Sequence, residues 1–131
     1  MNNYLNFKIV GSGPSGLLLA ISLAKLNFNI YITDLLTREK LINKDKTYAI
    51  THSTRKILSK FNLWNKLNSH LYKFDSLSIS DSETLDFTIL TTSDLDKDIG
   101  FLDTIGWVVK HSDLMKVFFY EIDKLDNIFF R

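Results

Sequence analysis

The chain has 131 residues, the size of one small domain, and its 45% hydrophobic and 24% charged content is that of a packed domain. Sixteen Lys and Arg against fifteen Asp and Glu leave a formal charge of +1, so the overall balance gives no reason to expect a nucleic-acid partner. Cysteine is absent, which excludes disulfides, thiolate nucleophiles, iron–sulfur clusters and Cys-ligated zinc and fits a reducing, cytoplasmic location.

Met1 to Asn6 carries no charged side chain to open a secretory signal, and Met1 is taken as the start of the folded domain. Phe7, Ile9 and Val10 form a short strand that stops at the turn Gly11-Ser12-Gly13-Pro14-Ser15-Gly16. Leu17 to Leu26 then supplies good helix formers on nearly every side, as a helix packed on a sheet requires, and Asn27 and Asn29 are expected to close it. Its longest apolar run, Leu17 to Ala24, is interrupted by Ser22 and falls far short of the roughly 20 residues of a membrane-spanning helix. Ile30 to Thr33 reads as a second strand ending at Asp34. This order predicts a parallel strand–helix–strand unit.

Thr37 to Tyr48 is polar and basic. Ile57, Leu58, Phe61, Leu63, Trp64 and Leu67 then recur at spacings of three and four, which predicts a second helix capped by Ser53 or Thr54. Leu77 and Ile79, and after Asp81–Thr84 the trio Leu85, Phe87 and Ile89, alternate with polar residues and predict a β-hairpin. Thr91 to Thr104 reads as an acidic loop. Trp107 to Val109 reads as a strand, His111 to Asp113 as a helix start, and Leu114 to Leu125 as an amphipathic helix. Ile128 to Phe130 begins one more strand, which in a doubly wound sheet feeds a further connection, so the chain is expected to be the front part of something longer.

Thr37 to Lys73 holds nine basic and two acidic residues, whereas Phe74 to Thr104 holds eight acidic residues and one lysine. The two segments are expected to neutralise each other across the fold, and the alternative is a basic approach for an anionic cofactor.

Gly11 to Gly16 matches G-x-G-x-x-G in the context its mechanism needs, a strand before and a helix after. Gly11 permits the turn, Gly13 leaves the backbone open to a pyrophosphate, and Gly16 lets the helix approach the strand. Unpaired N–H groups and the helix dipole attract the phosphates, while Asp34, about 20 residues on, is placed to accept ribose hydroxyls. The plain alternative is a glycine-rich turn in an ordinary α/β domain, with Asp34 a surface residue. Strand, helix and acid together favour dinucleotide binding. Asp34 opposes a 2′-phosphate, because two anions would face each other, so FAD or NAD fits this site.

The stretch from Gly11 to Ala24, GSGPSGLLLAISLA, resembles the FAD-binding start of class A flavin-dependent aromatic monooxygenases, with Pro14-Ser15 favouring FAD over NAD. Asp45 to Trp64, DKTYAITHSTRKILSKFNLW, and Ile105 to Met115, IGWVVKHSDLM, resemble the ubiquinone-biosynthesis hydroxylase branch of that family. The resemblance implies an α/β, Rossmann-like FAD-binding domain with an inserted hairpin, incomplete at its C-terminus, in which residues 1–131 are the N-terminal portion of a longer hydroxylase. It further implies FAD as cofactor, NAD(P)H as electron donor, and a small aromatic substrate of the prenylated-phenol or quinone-precursor class, with peripheral membrane contact through that substrate. By the same resemblance Gly11, Ser12, Gly13, Pro14, Ser15 and Gly16 form the pyrophosphate turn and Asp34 meets the adenosine ribose, where the family more often has Glu. Lys46 stands where the family carries a cofactor-side arginine, keeping the charge without the fork, and Ser112 replaces another arginine two positions before Leu114. The family's later Gly-Asp motif has no counterpart in the sequence, so a complete active site is not expected here. The alternatives are an NAD-dependent oxidoreductase half-domain and a non-catalytic Rossmann-like module.

His52, His70 and His111 are too dispersed for metal-ligand spacing, and no metal is expected. His111 reads as structural, a place near the flavin being the alternative. Asp94, Asp96 and Asp98 alternate as in part of a calcium loop but lack its glycine and terminal glutamate, and read as solvated.

Overall fold

The computed structural model describes residues 5–95 and 103–131. Met1, and Asp96, Asp98 and Gly100 of the acidic stretch, lie outside the described residues.

Strand β1 (Asn6–Val10), helix α1 (Pro14–Ala24) and strand β2 (Asn29–Thr33) form the expected parallel unit, with Phe7 opposite Ile30 and Val10 opposite Thr33. Pro14 opens α1 where its missing N–H removes no helical hydrogen bond. Leu17, Ala20, Ile21 and Ala24 form the buried stripe of α1. The helix ends in a Schellman turn: Asn27 has φ +66°, its N–H donates to Ala24 O at 2.9 Å, and Phe28 N–H donates to Leu23 O at 3.2 Å. Asn29 is not part of this closure. The left-handed residue reverses the chain at once, and Asn29 already begins β2.

Strand β8 (Ile128–Phe130) pairs in parallel with the other edge of β2, giving the order β1-β2-β8 with Ile30 and Ile32 of the central strand fully buried. A second, antiparallel sheet has the order β3-β7-β4: Thr47–Ile50, Gly106–Lys110 and Tyr72–Phe74. Periodicity exposes only its centre, β7. β3 and β4 are short edge strands, four and three residues long, and pairing with β7 rather than local hydropathy makes them strands.

Helix α2 (Arg38–Ile42) lies in the stretch that reads as merely polar, capped by the Thr37 hydroxyl. Helix α3 (His52–Lys60) is capped by Thr51, whose Oγ1 accepts from Thr54 N–H at 3.4 Å. Ser53 and Thr54, the expected caps, sit inside its first turn. The single helix expected through Leu67 is two: Asn62, at φ +59°, ends α3, Leu63 N–H returns to Leu58 O at 2.8 Å, and α4 (Trp64–Leu67) follows. The apolar spacing survives the break because this turn keeps Leu58 and Leu63 together in the core. Helix α5 (His111–Ile122) packs Leu114, Met115, Phe118 and Ile122 against the rest of the core.

The hairpin is β5 (Ser76–Ser80) and β6 (Phe87–Thr91), with Leu77 opposite Leu90 and Ser80 opposite Phe87. That register puts Leu77 and Ile79 on one face and Ile89 and Phe87 on the other, and all four are exposed. Leu85 is not in the strand as the alternation predicts. It occupies the closing turn at φ +59° and is 85% exposed, a conformation that suits Gly or Asn. Replacing Leu85 with Gly is therefore expected to stabilise the hairpin by about 1 kcal/mol, read as slower amide exchange across β5 and β6. Unchanged or faster exchange there would count against a strained turn.

The two oppositely charged segments meet sparingly. Among the described residues they share the exposed pair Lys73–Asp103 at 2.9 Å, whereas Arg38 and Lys66 pair with Asp123 at the end of α5 and Glu121 within it. Among the described residues no helix is long and apolar enough to cross a membrane.

Candidate functional site

β1 and β2 end side by side, tied by Gly11 N–H to Thr33 O at 2.8 Å, and the glycine turn lies between β1 and α1. Gly11 has φ +100°, which an L side chain rarely adopts. A Cβ on Gly16 would come 2.1 Å from Gly11 O, so helix and strand touch backbone to backbone. A Cβ on Gly13 would meet nothing within 4 Å. Packing thus demands Gly16, whereas at Gly13 the structure itself leaves open room. The first turn of α1 holds no acidic side chain to satisfy its N–H groups or offset its dipole. Pro14 and the exposed Ser15 occupy that turn.

Asp34 and Ser12 meet across this junction. Ser12, fully buried, donates its N–H at 2.7 Å and its hydroxyl at 2.9 Å to Asp34 Oδ2, and Leu36 N–H donates to Oδ1 at 2.8 Å. The Ser12 N–H, with the Leu36 N–H next, holds the Asp34 carboxyl below its ordinary value of 3.8 and keeps it ionised at neutral pH. Asp34 is only partly buried, so its carboxylate can also be reached by an outside donor such as a sugar hydroxyl.

A cavity of about 490 Å³ opens from this junction, with Ser12 and Asp34 at one part of its wall and Arg38, Phe119, Asp123 and Arg131 at others. Apolar groups, among them Leu41 and Ile128, line the rest. A wall of this kind, apolar groups with a few placed charges, suits a small organic ligand. Arg38 and Asp123 are absent from the residues that sequence patterns single out. They lie 85 positions apart and no local signal links them.

The structure does not bring Lys46 to this cavity. Lys46 is exposed at the start of β3, and its carbonyl accepts from His111 N–H at 2.8 Å. His111 is a buried tie: Nε2 donates to Leu41 O at 2.5 Å, which leaves Nδ1 to accept from the Tyr48 hydroxyl at 2.9 Å. His52 likewise donates to Thr104 O at 2.7 Å. Among the described residues no three His, Asp or Glu side chains converge as a metal site would require.

No protein-family model matches the chain. Over 115 residues it is 28% identical to the uncharacterized protein slr1300 of Synechocystis sp., a match covering 88% of this chain and 27% of that protein. Among solved structures it superposes on p-nitrophenol 4-monooxygenase PnpA from Pseudomonas putida DLL-E4 with a TM-score of 0.75 at 16% identity, covering 100% of this chain and 32% of that one. It also superposes on the flavin-dependent monooxygenase PieE, solved with FAD and substrate, with a TM-score of 0.69 at 11% identity, covering 99% and 24%. The fold is thus the mixed α/β, Rossmann-like architecture found in part of flavin-dependent monooxygenases. The chain spans about a third or less of the length of these proteins.

Proposed function

We propose that this chain is the FAD-binding portion of an NAD(P)H-dependent flavin monooxygenase acting on an aromatic substrate. The observation that carries the reading is the glycine turn with its unfilled space at Gly13, joined through Ser12 and Asp34 to an open cavity, in a fold shared with monooxygenases. The N–H groups at the start of α1 would hold the pyrophosphate, and the partly open Asp34 carboxylate would hold a ribose hydroxyl. The bound flavin supplies the redox chemistry with NAD(P)H and dioxygen, and this part of the protein supplies affinity and orientation. The likeness of Asp45–Trp64 and Ile105–Met115 to the ubiquinone-biosynthesis branch supports a prenylated-phenol or quinone-precursor substrate, met at a membrane surface.

Titration with FAD, followed by flavin fluorescence, tests the reading with Gly13→Val as the control. Because a Cβ at this position meets no protein atom within 4 Å, the variant is expected to keep its stability within about 1 kcal/mol while losing at least about tenfold in FAD affinity. A folded wild-type protein that binds FAD no better than the variant would remove the flavin reading, and preferential binding of NAD would favour a nicotinamide-dependent enzyme.

A further inference from the structure

The Arg38 guanidinium is tightly constrained for a side chain half open to solvent. Nη1 and Nη2 donate to the two carboxylate oxygens of Asp123 at 2.9 and 2.7 Å, and the guanidinium carbon lies over the Phe119 ring, 4.3 Å from its centroid. Asp123 sits at the C-terminal end of α5, where the helix dipole disfavours an anion. The arginine offsets that repulsion, so the carboxylate is best placed when paired. Asp123 occupies one edge of the guanidinium and Phe119 one face. Even so paired, the side chain is 47% exposed. Arg38, Phe119 and Asp123 all line the cavity that reaches Ser12 and Asp34. A guanidinium whose charge is already matched is a weak anchor for another anion, but its plane still stacks well on a π system.

We propose that Arg38 recognises the base of the bound dinucleotide, stacking its plane on the purine, and that Asp123 is the positioning residue that holds the guanidinium flat. This rests on the dinucleotide reading above. It divides the site by chemistry: backbone N–H groups for the phosphates, Asp34 for the ribose, and a neutralised arginine plane for the heterocycle. Lysine is a poorer substitute, because an ammonium brings the charge without a plane to stack.

Calorimetric titration of ADP and of FAD into the wild type, Arg38→Lys, Arg38→Gln and Asp123→Asn tests this, with a thermal melt of each. Both Arg38 variants are expected to weaken ADP and FAD by about fivefold to tenfold, and Asp123→Asn by about twofold to threefold. Melting midpoints should stay within a few degrees, since an exposed ion pair contributes little to stability. Wild-type affinity in Arg38→Lys would mean that charge rather than the plane matters, and would overturn the proposal. So would losses that track a collapse in the melting midpoint. Wild-type protein that binds neither ADP nor FAD would overturn the dinucleotide reading itself, an outcome distinct from variants that bind as well as wild type.

Discussion

Gly16→Ala is expected to lose about 3 kcal/mol of stability and about 10 °C in melting temperature. The added methyl would lie 2.1 Å from the Gly11 carbonyl oxygen and 3.1 Å from its carbon, both backbone atoms that no side-chain rotation can move. Gly11 is itself fixed by its hydrogen bond to Thr33 O, so relief requires α1 to lift from the end of β1. Gly13→Ala is the matched control, with a stability change of no more than about 0.5 kcal/mol because its methyl enters open space. Circular-dichroism melts of the two variants decide the matter. Equal midpoints would mean that the backbone contact at Gly16 does not exist. A protein of this size is stable by only about 7–15 kcal/mol, so the loss at Gly16 is a large share of the whole.

Glu121→Gln is expected to cost about 2–3 kcal/mol at neutral pH and to flatten the acid limb of the stability profile. Glu121 is buried on α5 between two lysines: Lys25 of the C-terminal end of α1 meets Oε1 at 2.6 Å, and Lys66 of α4 meets Oε2. Lys25 Nζ also donates to Phe61 O at 2.6 Å, at the C-terminal end of α3, where a cation is favoured. The carboxylate therefore ties α1 and α4 to α5, and Lys25 carries the link on to the end of α3. Breaking a buried pair commonly costs about 3–5 kcal/mol, but the lysine side chains keep 23% and 35% of their surface and can turn to water, which lowers the figure.

Burial pushes the Glu121 carboxyl up, but the hydrogen bonds and charges of Lys25 and Lys66 outweigh it and hold the group below its ordinary value of 4.5. A depressed acid stabilises the fold above its unfolded-state pKa, and that contribution disappears as pH falls through the folded value. Wild-type protein should therefore lose stability on acidification below about pH 4.5, and denaturant melts of Glu121→Gln should lack this component. Parallel acid limbs in the two proteins would show that the triad is not what the low-pH loss reports.

Much of this architecture is legible in the residues because its causes are local. The strand–glycine turn–helix–strand unit, β7, α5 and β8 follow from runs of apolar residues punctuated by Gly and Asn. The glycine turn and Asp34 fall together because both lie at the ends of adjacent parallel strands. Other features depend on partners far along the chain. Thr47–Ile50 and Tyr72–Phe74 become strands only against β7, and a helix pattern running through Leu67 hides a break that one left-handed asparagine makes.

What the sequence alone determined is the parallel unit and its glycine turn, since φ above zero at Gly11 and hydrogen-bonding groups at a helix start are properties of a few consecutive residues. Only the tertiary structure decided what surrounds that turn. It turned Ser12 onto Asp34, kept Lys46 out of the cavity, and brought Arg38 to Asp123 and Phe119 across more than eighty residues. The physical reason is that a side chain's charge state and free face are set by what packs against it, and packing joins elements whose spacing in the chain carries no trace of their contact.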